Sequence, residues 1–397
     1  MIKSVKLGEI ARISSGGTPS RANPSYWNGN IPWVKTTQIQ NCVITPQDVD
    51  EWITEEGLKN SSAKMVPAGT IVLGMIGQGK TRGQVGYLSF DACTNQNAAT
   101  ITCNNECDSW FIYQYLLFNY ENIRALSNSS GQGNLNLGLV EIIPITLPPL
   151  SQQKKIANLL GTWDNAIEKT EALIAAKEKQ FEWLTSNLIN RAGHKRTSAS
   201  GLMTEVSKRN KNSTIERVLS VTNHSGFVLP EEQFERRVAS ANVSNYKIVE
   251  QGQYAYNPSR INVGSIARLD DWENGILSPM YVVFKLDTKK VCSDYFLHWL
   301  NSSEARQRIK NSAQGSVRET VSFKDLGAID IPLPAMDVQK DVTYKLNLAQ
   351  KEISLLKKTL EQYRSQKRGL MQKLLTGEWQ VGSSQHLFEE TYQEASA

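Results

Sequence analysis

The segment Gly74-Met75-Ile76-Gly77-Gln78-Gly79-Lys80-Thr81 satisfies G-x-x-x-x-G-K-[ST], the loop that cradles nucleotide phosphates, and it follows a strand-like Thr70-Ile71-Val72-Leu73. Phosphate binding requires a helix to start at the Lys-Thr pair, because its N-terminal amides and dipole hold the anion. Here Arg82-Gly83-Gln84-Val85-Gly86-Tyr87-Leu88 follows instead. Two glycines and strand-like alternation make a poor helix and a good hairpin arm. The expectation is therefore a basic, Gly-rich hairpin loop, with a P-loop ATPase acting through Gly74–Thr81 as an alternative. Asn23-Pro24-Ser25-Tyr26 approaches the N-P-P-[YF] element that grips a flipped adenine, but Ser25 breaks it and no F-x-G-x-G strand accompanies it. His194, His224, His298 and His386 are scattered, and no Ser/His/Asp arrangement can be assembled from them. Cys42, Cys93, Cys103, Cys107 and Cys292 show no zinc-site spacing. The residues predict no catalytic group and no metal site.

Binding chemistry is better represented. Gln78, Lys80, Thr81, Arg82 and Gln84 crowd the hairpin loop, and Asn257, Ser259, Arg260 and Asn262 crowd a loop in the second half. Arginine pairs with guanine through two donors, and asparagine or glutamine pairs with adenine, so arginine flanked by amides is a set able to read DNA bases. Asn95, Gln96 and Asn97, then Gln132 and Asn134, and in the second half Gln314 and Arg318, extend the set. Ordinary turn chemistry accounts for the same composition.

These loops must be positioned by a repeated framework. Apolar residues alternate at spacings of four and three through Ile156, Leu160, Trp163, Ile167, Ile174, Phe181, Leu184 and Leu188. The same pattern returns through Val342, Leu346, Ile353, Leu356, Leu360, Tyr363, Leu370 and Leu374, with Val342 lying 186 residues after Ile156. Thr170, Lys177 and Lys367 interrupt the apolar stripe, while Ala349 is its smallest member. Such spacing keeps one seam of a long helix facing a partner helix, and two such helices in one chain suit each other.

The duplication reaches beyond the helices. Val66–Val72 resembles Val249–Ala255 as a turn feeding a strand through a glycine, and Arg82–Gly86 matches Arg260–Gly264 as R-x-x-V-G. Phe111-Ile112 and Phe296-Leu297 open aromatic helices, and Ile145–Pro149 parallels Ile331–Ala335 before each long helix. The fold class expected is α+β: two pseudo-symmetric globular domains over 1–150 and 193–335, long helices over 151–192 and 336–377, and a flexible tail over 378–397.

A chain of 397 residues exceeds one hydrophobic core, which agrees with several domains. Net charge is +5 without a concentrated basic segment, so DNA contact would have to come from localised loops. No membrane-length apolar run or signal-peptide core is present, and a cytoplasmic, reduced protein is expected.

Val5–Ile10, Gly16-Gly17-Thr18-Pro19-Ser20, Tyr26-Trp27-Asn28-Gly29, Ile31-Pro32-Trp33-Val34, Leu147–Ala157 and Leu370–Gly377 resemble, in order, the specificity (S) subunits of type I restriction-modification enzymes. The resemblance implies a non-catalytic DNA-binding subunit with two target-recognition domains, each reading half of a split site in double-stranded DNA. It implies an antiparallel helix pair that spaces the domains and docks two adenine-methyltransferase subunits, with motor/endonuclease subunits joining the complex and no membrane involved. S-adenosylmethionine, ATP and magnesium would serve those partners, leaving no cofactor in this chain. At roughly 1.5 Å per residue the seam from Ile156 to Leu188 would span about 50 Å, comparable to about 15 base pairs. A coiled-coil scaffold without DNA contact is the other alternative.

Overall fold

The structure, a computed structural model, describes residues 2–77, 79–129, 133–223, 225–229, 243–313 and 320–382. The chain forms two compact units, Met1–Thr170 with Thr359–Ala397, and Glu171–Lys358. Each long helix gives one half to each unit: the first runs Leu150–Thr185 and continues as a π-helical turn over Ser186–Asn190, and the second runs Met336–Leu375. Gly193 and Gly377, both at positive φ, follow their ends, the role glycine takes where a helix must stop.

In the first unit a five-stranded sheet has the order Ala11–Ser15, Ala98–Cys103, Ile71–Gly74, Val85–Leu88, Cys42–Ile44. In the second, a four-stranded sheet has the order Met203–Glu205, Val282–Leu286, Tyr254–Tyr256, Ile266–Arg268. Their registers correspond. Ile71 stands opposite Ile101 and Tyr87, and Tyr254 stands opposite Phe284 and Arg268. Both central strands are entered through the same turn. Gly69 (φ 86°) donates to Leu88 at 2.8 Å, and Gly252 (φ 80°) donates to Leu269 at 2.8 Å. An L side chain is strained at such angles, which is why the repeat keeps glycine at both positions.

This register corrects one expected equivalence. Val85 occupies the place of Ile266, not of Val263, because each faces the last or next-to-last residue of the central strand, Leu73 and Tyr256. Gly86 is therefore a strand residue against Ile44, whereas Gly264 closes a 3-10 turn with φ 97°. Three residues of sequence coincidence had aligned Arg82 with Arg260; the strands do not.

Within each unit the two helix halves run antiparallel. In the first, Trp163 meets Tyr363 edge-on at 5.6 Å and Lys367 pairs with Asp164 at 2.5 Å. In the second, Lys177 pairs with Glu352 at 2.8 Å and Lys357 with Glu178 at 2.7 Å. Two of the residues that interrupt the apolar stripe, Lys177 and Lys367, thus meet carboxylates of the facing helix. None of the predicted seam positions is exposed. Toward its ends the seam enters the globular cores: Ile156, Leu160, Leu370 and Leu374 pack with Phe111, Ile143 and Ile145, and Val342, Leu346, Phe181, Leu184 and Leu188 pack with Tyr295, Trp299 and Ile331. Each long helix is thereby anchored by burial, at about 1.5–3 kcal/mol for a fully buried large aliphatic side chain.

His298, on the helix Ser293–Leu300, is buried with Nε2 2.7 Å from Asn347 Oδ1. Burial pushes its pKa below the usual value, helped by Arg268 and opposed by Asn347 and Asp294. The unfolded chain then takes up a proton near pH 6.5 while the folded chain does not. Stability of the second unit is expected to fall as pH drops from about 7 toward 5. A His298→Gln variant, followed by urea unfolding across that window, should show a shallower pH slope.

Candidate nucleic-acid interface

All five strands of the first unit's main sheet direct one set of ends to the same edge, since Ser15 pairs with Ala99, Gly74 with Ala98, Leu73 with Val85 and Cys42 with Gly86. The loops leaving that edge are 16–20, 36–41, 75–84 and 94–97. Backbone hydrogen bonds knit them together. Gly17 donates to Thr94 at 2.8 Å, Met75 donates to Asn97 at 2.9 Å, and Leu135 donates to Met75 at 2.9 Å, which brings in the loop at 133–136. Four stretches separated in sequence therefore form one surface.

The hairpin Ile71–Gly74/Val85–Leu88 takes the place a nucleotide-binding helix would need. Lys80 sits in a turn, exposed, and its carbonyl accepts from the Tyr120 hydroxyl at 2.7 Å. Thr81 and Gln84 are half-buried; Gln84 donates its backbone amide to the Thr81 carbonyl at 3.0 Å. Arg82 is only 9% exposed, and its guanidinium donates to the Gly133 carbonyl, fastening the 133–136 loop to the hairpin. Gln96 and Asn134 are exposed, while Asn95 and Asn97 are half-buried. Asn95 Oδ1 accepts from the Thr36 hydroxyl at 2.8 Å and from the Asn97 amide at 3.2 Å. Gln96 accepts from the Thr18 hydroxyl. Asn136 caps the short helix Leu137–Glu141 by accepting from Leu139 at 2.9 Å. Gln78 and Gln132 lie outside the described residues.

Two cations flanking this edge are already engaged. Arg21 lies 3.7 Å from the Trp27 ring centroid and pairs with Glu51 at 2.5 Å. Lys35 is bound by Asp50 and Glu51, whose hydrogen bonds hold its pKa above the usual value. Lys80, with no carboxylate within ion-pair distance among the described residues, is the cation this loop surface presents to solvent.

The second unit has the corresponding edge with different side chains. The loop 257–265 leaves Tyr256, and the turn 278–281 enters the strand at Val282, which faces Tyr256. Arg260 and Ser259 are exposed; Asn257 and Asn262 are half-buried. Asn257 Oδ1 accepts from the Ser259 amide at 3.0 Å, and Arg260 donates its backbone amide to the Asn257 carbonyl at 2.9 Å. Asn262 Oδ1 is buried without a hydrogen-bond partner. The Val321 amide donates to Pro258 at 3.1 Å, tying the loop to the segment that follows Gln314 and Arg318, which lie outside the described residues. His224, His386 and the tail from 383 also lie outside them.

Sequence reasoning did not find Thr18 and Thr36, whose hydroxyls hold the amide loop, because a single threonine carries no pattern. It also passed over the function of Gln153 and Gln339. Both are 1% exposed. Gln153 accepts from the Asp108 amide at 2.8 Å and donates to Pro148 at 2.8 Å and Glu106 at 3.3 Å. Gln339 accepts from the Cys292 amide at 2.8 Å and donates to Pro334 at 2.9 Å and Lys290 at 3.3 Å. The same amide clamp joins the start of each long helix to the cap of an aromatic helix, Ser109–Phe118 or Ser293–Leu300.

All five cysteines are free thiols. Among the described residues no group of three His, Cys, Asp or Glu side chains is placed to hold a metal ion, and no helix is long and apolar enough to cross a membrane.

Residues 2–177 match the family described as Type I restriction modification DNA specificity domain. The Type I restriction enzyme MjaIX specificity subunit of Methanocaldococcus jannaschii is 29% identical over 45% of this chain and 40% of its own length. The EcoR124I/EcoR124II specificity subunit of Escherichia coli is 25% identical over 45% of each chain. The chain thus spans less than half the length of these two relatives. The MjaVIII specificity subunit of M. jannaschii is 20% identical over 95% of this chain and 92% of its own. A solved S subunit of a type I restriction-modification system from M. genitalium shares the fold, with a TM-score of 0.59 at 15% identity over 94% of this chain and 96% of that one.

Proposed function

We propose that the chain, whose residues 2–177 match the type I restriction-modification specificity domain and which resembles such subunits along most of its length, is the non-catalytic DNA-reading subunit of such a complex. Each unit reads one half of a split site in double-stranded DNA through the loops at its sheet edge. The observation that carries this reading is the convergence, at corresponding edges of two sheets in the same register, of loops rich in amide, hydroxyl and cationic groups. The paired helices set the distance between half-sites and dock two adenine-methyltransferase subunits. Motor/endonuclease subunits complete the assembly, and S-adenosylmethionine, ATP and magnesium act in those partners.

Exposure divides the proposed contacts. Lys80, Gln96, Asn134, Ser259 and Arg260 are positioned for direct contact, and Thr81, Gln84, Asn95, Asn97, Asn257 and Asn262 lie behind them. Arg82 fixes loop shape in the first unit. Lys80 is a point charge on a turn, suited to a phosphate. Arg260 offers the fork that matches a guanine edge.

The test is binding to duplexes selected from a random pool, followed over a range of salt. Arg260→Ala is expected to cost about 1.5 kcal/mol on the selected site and to relax preference in one half-site only. Lys80→Ala should weaken binding to all sequences alike and lower the salt slope by about one. Sequence-independent binding by the unmodified protein would refute the reading. Nucleotide binding lost in Lys80→Ala would favour the ATPase alternative.

A further inference from the structure

The two edges differ most where the first presents amides. The strand registers place Asn97 opposite Met75 just before Ala98, and place Met280 at the corresponding point of the second unit, two residues before Val282. Met280 is 62% exposed, and its sulfur lies 3.8 Å from Asn257 Nδ2. Val263, three residues beyond Arg260, is 61% exposed. Among the described residues from Arg196 to Pro332 these are the only exposed large hydrophobic side chains, and both stand in the loops of the candidate edge. Apolar groups scattered over a surface need no explanation, but here the exposed ones coincide with the proposed reading loops.

In the major groove thymine presents a methyl group at C5, the one apolar feature of a base edge, and aliphatic side chains read it by contact. The geometry points to a half-site for the second unit that contains thymine recognised through its C5 methyl by Val263 and Met280, beside the base or phosphate taken by Arg260. This rests on the reading of the loops as a DNA-contacting surface. It predicts that recognition by the second unit depends on the thymine methyl.

The test uses the full chain with the subunits that co-purify with it, and two random duplex pools, one ordinary and one in which deoxyuridine replaces thymidine and so lacks the methyl. The half-site of the second unit is identified as the one relaxed by Arg260→Ala. In the ordinary pool that half-site should carry at least one thymine position, and its enrichment should fall about fourfold per methyl contact in the deoxyuridine pool. Val263→Ser and Met280→Gln should each lose a similar factor on thymidine duplexes and become insensitive to the uridine exchange. If the half-site is selected equally from both pools while Arg260→Ala still relaxes it, the methyl contact is wrong and the reading surface stands. If neither pool yields a selected site, the surface itself is wrong and the inference falls with it.

Discussion

Replacing Gln153 by leucine is expected to destabilise the first unit by about 3 kcal/mol, and Gln339→Leu to do the same to the second. Leucine fills the space but leaves the amide of Asp108 or Cys292 and two carbonyls without the partner they share, and each glutamine is 1% exposed, so water has little access to replace it. The loss should be local. Asp108 caps the helix Ser109–Phe118 by accepting from Phe111 at 2.9 Å, so that helix should exchange its amide hydrogens faster in Gln153→Leu while Ser293–Leu300 is unchanged. Gln339→Leu should show the reverse. Hydrogen exchange is the proper measurement, because a chain of two units need not unfold in one step. A change below about 1 kcal/mol in both variants would show that the clamp is ornamental.

A second large effect is expected at the charge pair in the helix seam, and its size depends on which partner is removed. Lys367 is 9% exposed, and its ammonium pairs with Asp164, whose other oxygen accepts from Gln114 Nε2 at 2.7 Å. Asp164→Ala strands a buried cation and should cost about 2–3 kcal/mol, reduced from the fully buried case because Asp164 keeps one side in water. Lys367→Met restores the apolar stripe and should be close to neutral, within about 1 kcal/mol. The double variant should lie nearer Lys367→Met than Asp164→Ala, which a double-mutant cycle by thermal unfolding measures directly. Equal losses in both single variants would contradict this assignment.

The helices and the duplication were legible because their signal is periodic: a 4-3 alternation over many turns survives isolated substitutions such as Lys177 and Lys367. The hairpin after Gly74 was legible from two glycines and alternating side chains, which is why the phosphate-loop pattern did not mislead. The alignment of Arg82 with Arg260 failed because register is set by cross-strand pairing, and the connection between the last paired residues differs in the two units: residues 74–84 in the first, the shorter 257–265 with its 3-10 segment Ile261–Val263 in the second. Burial of Arg82 was not legible either, since its partner is the carbonyl of Gly133, fifty-one residues away. The clamp formed by Gln153 and Gln339 was not legible, because the groups they join come from loops that meet only after the sheets form. The same non-locality hid the convergence of 16–20, 75–84, 94–97 and 133–136 on one edge.

The central claim, that two separate surfaces of this chain read two halves of one DNA site, is tested most directly by mapping DNA methylation in cells with and without the subunit. The account predicts a set of methylated adenines that disappears with the subunit and shares a motif of two short sequences separated by an unspecified spacer. It further predicts that Arg260→Ala changes or weakens only one of the two sequences. A methylation map unchanged by removal of the subunit, or a lost motif that is short and contiguous, would contradict it.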